Sequence, residues 1–228
     1  MSRVVNAVSL SKVYKGRNYQ SVEALREIDL HMKQGEFLGI SGPSGSGKTT
    51  LLNIIGTIDR PTSGTLELFG RRVDTMNDRE LSKIRLRQIG FIFQEHNLLP
   101  SLTVAENIEL PMSLAAVTAH QRKERVQELL QIVGLESLAT RLPGELSMGQ
   151  RQRIAALRAF ANNPQMILGD EPTSELDRKN ASILLDFLKE VNKQHGTAII
   201  ITTTNPERFK GFISRHLRLV DGRLMSPN

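Results

Sequence analysis

Short apolar runs alternate along the chain with longer stretches whose apolar residues return every third or fourth position, the two periods of strands and amphipathic helices. The runs predict strands over residues 36–41, 65–69, 89–94, 166–170 and 198–203. The helical period predicts one helix through Val126, Leu129, Leu130 and Val133. It predicts a second from Arg178 to Asn192, capped by Asp177, with Ala181, Leu184, Leu185, Leu188 and Val191 on one face. Alternating strands and helices imply an α/β fold, a mostly parallel sheet covered on both faces.

Two stretches depart from that rhythm. Residues 4–30 carry short alternating segments and predict an N-terminal antiparallel β lobe beside the main sheet. Between the third and fourth predicted strands the helical period dominates, which predicts an inserted α-helical subdomain over 95–163. The remaining 1–94 and 164–228 form the α/β core of a single domain spanning 1–228.

Composition narrows the classes. The 228 residues suffice for a full core, and the absence of cysteine excludes both a disulfide framework and a thiolate metal site. The five histidines are scattered without ligand spacing. No apolar run reaches bilayer-spanning length and the N-terminus shows no signal-peptide core, so a soluble cytoplasmic protein is expected. The formal charge of +6 raises nucleic acid as a partner, but part of the excess falls on Arg79, Lys83, Arg85 and Arg87 of a solvated helix. With no Trp and two Tyr, a base-stacking platform is poorly supported, and no nucleic-acid partner is expected.

The chemistry begins at Gly42-Pro43-Ser44-Gly45-Ser46-Gly47-Lys48-Thr49, between the strand at 36–41 and a helix opening with Thr50. Glycines let consecutive backbone N–H groups turn inward around a polyphosphate, and the helix N-terminus adds its partial positive charge. Lys48 reaches toward the β and γ phosphates and the Thr49 hydroxyl suits Mg²⁺. Nucleoside triphosphate binding is expected. The run 166–169 ends in Asp170 and Glu171, where a buried strand delivers one carboxylate to the Mg²⁺ shell and another to polarise water.

With Leu146-Ser147-Met148-Gly149-Gln150 before those carboxylates and Pro172-Thr173-Ser174-Glu175-Leu176-Asp177 after them, the chain resembles the ATP-binding-cassette (ABC) family over essentially its whole length. The resemblance implies a P-loop NTPase (RecA-like) core with ATP and Mg²⁺ as cofactors. It implies Tyr14 as the adenine-stacking aromatic, Gln94 as a Q-loop glutamine reaching metal and water, and Glu171 as the catalytic carboxylate. Two cassettes, as homodimer or heterodimer, sandwich each ATP between one P-loop and the Ser147–Gln150 turn of the other, with Asp177 in the D-loop. The segments Gln94–Pro100, Leu102–Ile108 and Leu110-Pro111 are similar to the bacterial subfamily of lipoprotein-release (LolD), macrolide-efflux (MacB) and cell-division (FtsE) ATPases. That subfamily implies a separate integral membrane permease docked on the Gln94 segment, and a peripheral place on the cytoplasmic face of the inner membrane.

Two positions depart from the family pattern. Thr204, in Thr203-Thr204-Asn205-Pro206, stands where the family has a histidine that orients water and the catalytic Glu; a hydroxyl lacks that reach and charge, so slow hydrolysis is expected. Met148 replaces the first of two signature glycines, and either crowds the turn or points aside. The alternative to a transport ATPase is therefore an ATP-gated regulatory clamp with little turnover.

Overall fold

The computed structural model describes residues 3–15 and 21–225. In chain order these form β1 (Arg3–Lys15), β2 (Ser21–Lys33), β3 (Phe37–Ser41), α1 (Lys48–Ile55), β4 (Ser63–Leu68), β5 (Arg71–Arg72), α2 (Asp78–Gln88) and β6 (Ile89–Ile92). There follow α3 (Val104–Leu114), α4 (Ala119–Ile132), α5 (Met148–Phe160), β7 (Met166–Gly169), α6 (Arg178–His195), β8 (Ala198–Thr203), β9 (Arg215–Val220) and β10 (Arg223–Met225). A six-stranded sheet runs β10-β9-β3-β8-β7-β6, parallel except for β10, and a four-stranded antiparallel sheet runs β2-β1-β4-β5.

The core strands are apolar throughout because both faces are covered. Every residue of β3, β7 and β8 is buried. Alternate side chains part to opposite faces: Phe37, Ile167, Ile199 and Ile201 join α5 and α6, while Leu38, Ile40, Leu168 and Ile200 join α1 and the antiparallel lobe. The expected face of α6 is the buried one, and Gly196 ends that helix in the left-handed conformation. Between β6 and β7 the chain is helical, with α3, α4 and α5 each opened by a capping box at Thr103, Thr118 and Ser147.

Two expectations change. The run at 65–69 lies in the antiparallel lobe, as β4 paired with β1, and not in the parallel sheet. Alternation in Thr65-Leu66-Glu67-Leu68, with Leu66 and Leu68 buried and the others less so, is the mark of a strand covered on one face only. Conversely β9 extends the parallel sheet beside β3 although Arg215, His216 and Arg218 interrupt its apolar pattern; only Leu219 is fully buried.

Because β3, β8, β7 and β6 are parallel neighbours, their carboxyl ends lie along one edge. That edge receives the loop after Ser41, the end of β8 at Thr202 and Thr203, the Asp170-Glu171 pair after β7, and Gln94 after β6. Such an edge is where open α/β sheets place their ligands.

Candidate functional site

The 42–49 segment wraps the N-terminus of α1. Gly47 caps the helix at φ 102°, and a Cβ there would sit 2.4 Å from the Ala24 carbonyl of β2, so the position demands glycine on both counts. Gly222, in the β9–β10 turn, ties the loop to the lobe: its N–H donates to Ser46 O (3.1 Å) and its carbonyl accepts from Arg26 N (2.8 Å). Gly42 N donates to Thr203 O (3.2 Å), which fixes the other end to β8. The cleft above, about 570 Å³, is lined by Ser44, Gly45, Gly47, Lys48, Thr49, Thr50, Gln94 and Glu171, with Val22, Glu23, Ala24, Arg26, Asp221 and Gly222 at its lobe side.

Lys48 is buried, and its ammonium is held by Gly42 O (2.9 Å) and Pro43 O (3.0 Å) with Glu171 Oε1 at 3.7 Å. Thr49 Oγ1 donates to Asp170 Oδ2 at 2.7 Å, so the loop hydroxyl and the strand-end carboxylate meet directly. Ser46 Oγ is buried without a hydrogen-bond partner among the described residues. A cationic side chain, glycines in left-handed geometry, a helix N-terminus and two hard oxygen donors fit a triphosphate with Mg²⁺.

Thr202 is the residue that sequence reasoning missed. Fully buried at the end of β8, it donates to Asp170 Oδ1 (2.7 Å) while accepting from Glu171 N (3.1 Å). It therefore holds both acids, and Glu171 itself stands at φ 46°, an angle non-glycine residues rarely take. In the sequence it was one of three consecutive threonines, with no signal to single it out. Its neighbour Thr204 is exposed and donates to Glu171 Oε2 at 3.5 Å.

The remaining expected residues lie outside the cleft lining. Tyr14 donates to Asp59 Oδ2 (2.8 Å), and the Lys12 ammonium lies 4.8 Å from its ring centroid. Burial and the Asp59 acceptor push the Tyr14 phenol above its ordinary pKa. Burial opposes ionisation of Asp59, yet Lys12, Tyr14 and Arg60 N together hold its carboxyl below the usual range.

Ser147 is the N-cap of α5, accepting from Gln150 N (3.3 Å), and the Gln150 side chain accepts from Ser147 N (2.8 Å). Met148 takes the first helical position without a positive φ, and its half-exposed side chain walls a small cleft with His96 and Glu175. Gly149 is pressed against α6, where a Cβ would meet the Asn180 amide at 2.6 Å. Asp177 caps α6, accepting from Asn180 N (2.7 Å) and from its side-chain amide (3.0 and 3.1 Å); the N–H contact draws its carboxyl below the ordinary range.

The sequence profile of the ABC transporter family matches residues 25–174. An ABC transporter ATP-binding protein of Thermotoga maritima is 46% identical over 202 residues, 89% of this chain and 86% of that protein. The lipoprotein-releasing system ATP-binding protein LolD of Geobacter metallireducens is 40% identical over 226 residues, 99% of this chain and 100% of its own length. Among solved structures, a dimeric post-hydrolysis state of the cassette MJ0796 of Methanocaldococcus jannaschii, bound to ADP and Pi, superposes with a TM-score of 0.90 at 40% identity, covering 96% of each chain.

Proposed function

This chain belongs to the ABC transporter family and is an ATPase, and we propose that it couples MgATP binding, hydrolysis and dimerisation to a membrane permease of the lipoprotein-release or macrolide/peptide-efflux kind. One observation carries the reading: Thr49, in the first turn of α1 after β3, and Asp170, just past the end of β7 two positions away in the sheet, meet at 2.7 Å beside Lys48 and Glu171.

Thr49 Oγ1 and Asp170 Oδ2, with Gln94 at the cleft wall, would hold Mg²⁺, which when bound neutralises charge on the phosphate oxygens. Lys48 would exchange its two loop carbonyls for phosphate oxygens. Glu171, held by Thr202 through its N–H, would orient and deprotonate the attacking water. Ser147, Met148, Gly149 and Gln150 would serve the opposite chain's nucleotide: Ser147 and Met148 are exposed, Gln150 is partly exposed, and none of the four lines this chain's own cleft. Tyr14 would stack the base and Asp177 would fix α6 beneath that turn.

No helix among the described residues is long and apolar enough to cross a membrane. The proposed seat for the permease is the groove of about 440 Å³ lined by Ser82, Phe91, Phe93, Leu110, Pro111 and Asn162, next to the Gln94 segment, on the cytoplasmic face of the inner membrane. A second reading, an ATP-gated regulatory clamp with little turnover, is favoured by Thr204, whose hydroxyl occupies Glu171 Oε2 where an imidazole would act.

The test combines assembly with rescue. Glu171→Gln chain loaded with ATP should dimerise by light scattering and bring an integral permease out of solubilised membranes; a monomer that brings down none overturns the proposal. In cells Glu171→Gln should abolish the function of a transporter and leave that of a clamp nearly intact.

A further inference from the structure

A second cleft, of about 1100 Å³, opens at the amino ends of β3 and β9, the edge of the sheet opposite the nucleotide site. Arg3 and Lys33 line it from the lobe, and Lys189 and Lys193 from the last turns of α6. Arg215, at the start of β9, completes the set, with its Nε 2.8 Å from Glu36 Oε1. Glu36 is the one carboxylate of the lining, and its other oxygen accepts from Lys33 N (2.9 Å). Five cations thus share a single acid whose two oxygens are already engaged. Lys189 donates to Gly211 O (3.1 Å), whereas the side chains of Arg3, Lys33 and Lys193 are exposed and meet no acceptor among the described residues. Like charges gathered around one concavity favour an anion between them.

The rest of the lining says which anion fits. Phe212 and Ile213 are half-buried there and offer carbon surface to an occupant. Gly35, Gly196 and Gly211 turn the chain at φ 73°, 65° and 85°, and no atom lies closer than 3.9 Å to the place of a Cβ on any of them, so main chain is within reach at three turns. A flat bilayer would meet the rim of such a concavity and leave its floor uncovered. Single-stranded nucleic acid binds by stacking on aromatic platforms, and here one half-buried phenyl ring, Phe212, already has the Lys189 ammonium 5.6 Å from its centroid. A peptide that carries carboxylates on either side of an apolar residue matches the cations, the carbon surface and the bare main chain together.

We propose that this cleft binds an acidic peptide segment of a partner protein, with carboxylates against Lys33 and Lys193 and an apolar side chain over Phe212 and Ile213. The cleft shares no lining residue with the nucleotide site or with the proposed permease seat. Its occupant is therefore a further partner, and the proposal stands or falls independently of the transport reading.

The full chain is titrated, by fluorescence anisotropy at about 0.1 M salt, with a short labelled peptide in which Asp and Leu alternate. This peptide should bind at least about tenfold more tightly than its counterpart with Lys in place of Asp. Replacing its Leu by Ser should weaken binding about fivefold. Lys33→Glu combined with Lys193→Glu should weaken it about tenfold, and the neutral pair Lys33→Gln with Lys193→Gln should fall between that and the parent. Arg79→Glu with Lys83→Glu makes the same change of net charge on α2, outside the cleft, and should leave affinity within about twofold. Equal weakening by the two charge reversals, parental affinity in both Lys33 and Lys193 double variants, or equal affinity for the Ser peptide overturns the proposal. So does tighter binding of an oligothymidylate, or of phosphatidylglycerol vesicles, that is lost in the same double variants.

Discussion

Thr204 donates its hydroxyl to Glu171 Oε2 across 3.5 Å, at the outer end of the four-residue chain of contacts that runs from Thr49 through Asp170 and Thr202 to the Glu171 backbone. A threonine reaches the carboxylate, but its single hydroxyl proton is then spent and no second donor is left for a phosphoryl oxygen. Thr204→His should therefore raise phosphate release at saturating ATP by about tenfold to a hundredfold, the scale on which one positioned donor acts. An unchanged rate would show that another step limits turnover.

Thr202→Val keeps the volume of the side chain and deletes its hydroxyl. Glu171 N and Asp170 Oδ1 each lose a buried partner, which should cost about 1–3 kcal/mol in stability. Denaturant unfolding would measure that cost. ATP turnover should fall further than ATP affinity, because the carboxylates drift while Lys48 and the glycine cradle remain.

Lys48→Ala should abolish ATP binding. The clearest readout is thermal: at a nucleotide concentration about a hundred times Kd, binding adds roughly 2.7 kcal/mol to the folded state of the parent. The variant should show no ATP-dependent rise in Tm. A rise like that of the parent would mean the lysine contributes nothing to the nucleotide site.

Asp59 links Lys12, Tyr14 and the start of the β4 region, and its carboxyl is held below the ordinary range. A depressed folded pKa stabilises the fold above the unfolded value of about 3.9, and this contribution is lost as pH falls through the lower folded value. Asp59→Asn should thus cost about 1 kcal/mol at neutral pH, discounted for partial exposure. The difference in Tm should stay constant down to about pH 5 and close below about pH 4. A difference that persists in acid would contradict the ionic origin.

Much of this architecture could be read from spacing. Strands such as Ile199-Ile200-Ile201 announce themselves because both faces are covered, and the face of α6 because Ala181, Leu184, Leu185, Leu188 and Val191 all turn inward. The glycine cradle and the paired acids were legible because phosphate and metal chemistry dictates residue types at fixed intervals. What stayed hidden depends on pairing between distant segments. The placement of β4 in the lobe, the polar strand β9 beside β3 and the grip of Thr202 on two acids have no local period to betray them.

The contact of Gly47 with Ala24, and of Gly222 with both Ser46 and Arg26, makes the lobe a floor on which the phosphate-binding loop rests. Anything that braces the loop from above must then brace β2 from a distance. Amide hydrogens along that strand should exchange more slowly once nucleotide is added, so a region with no catalytic group of its own becomes a reporter of occupancy.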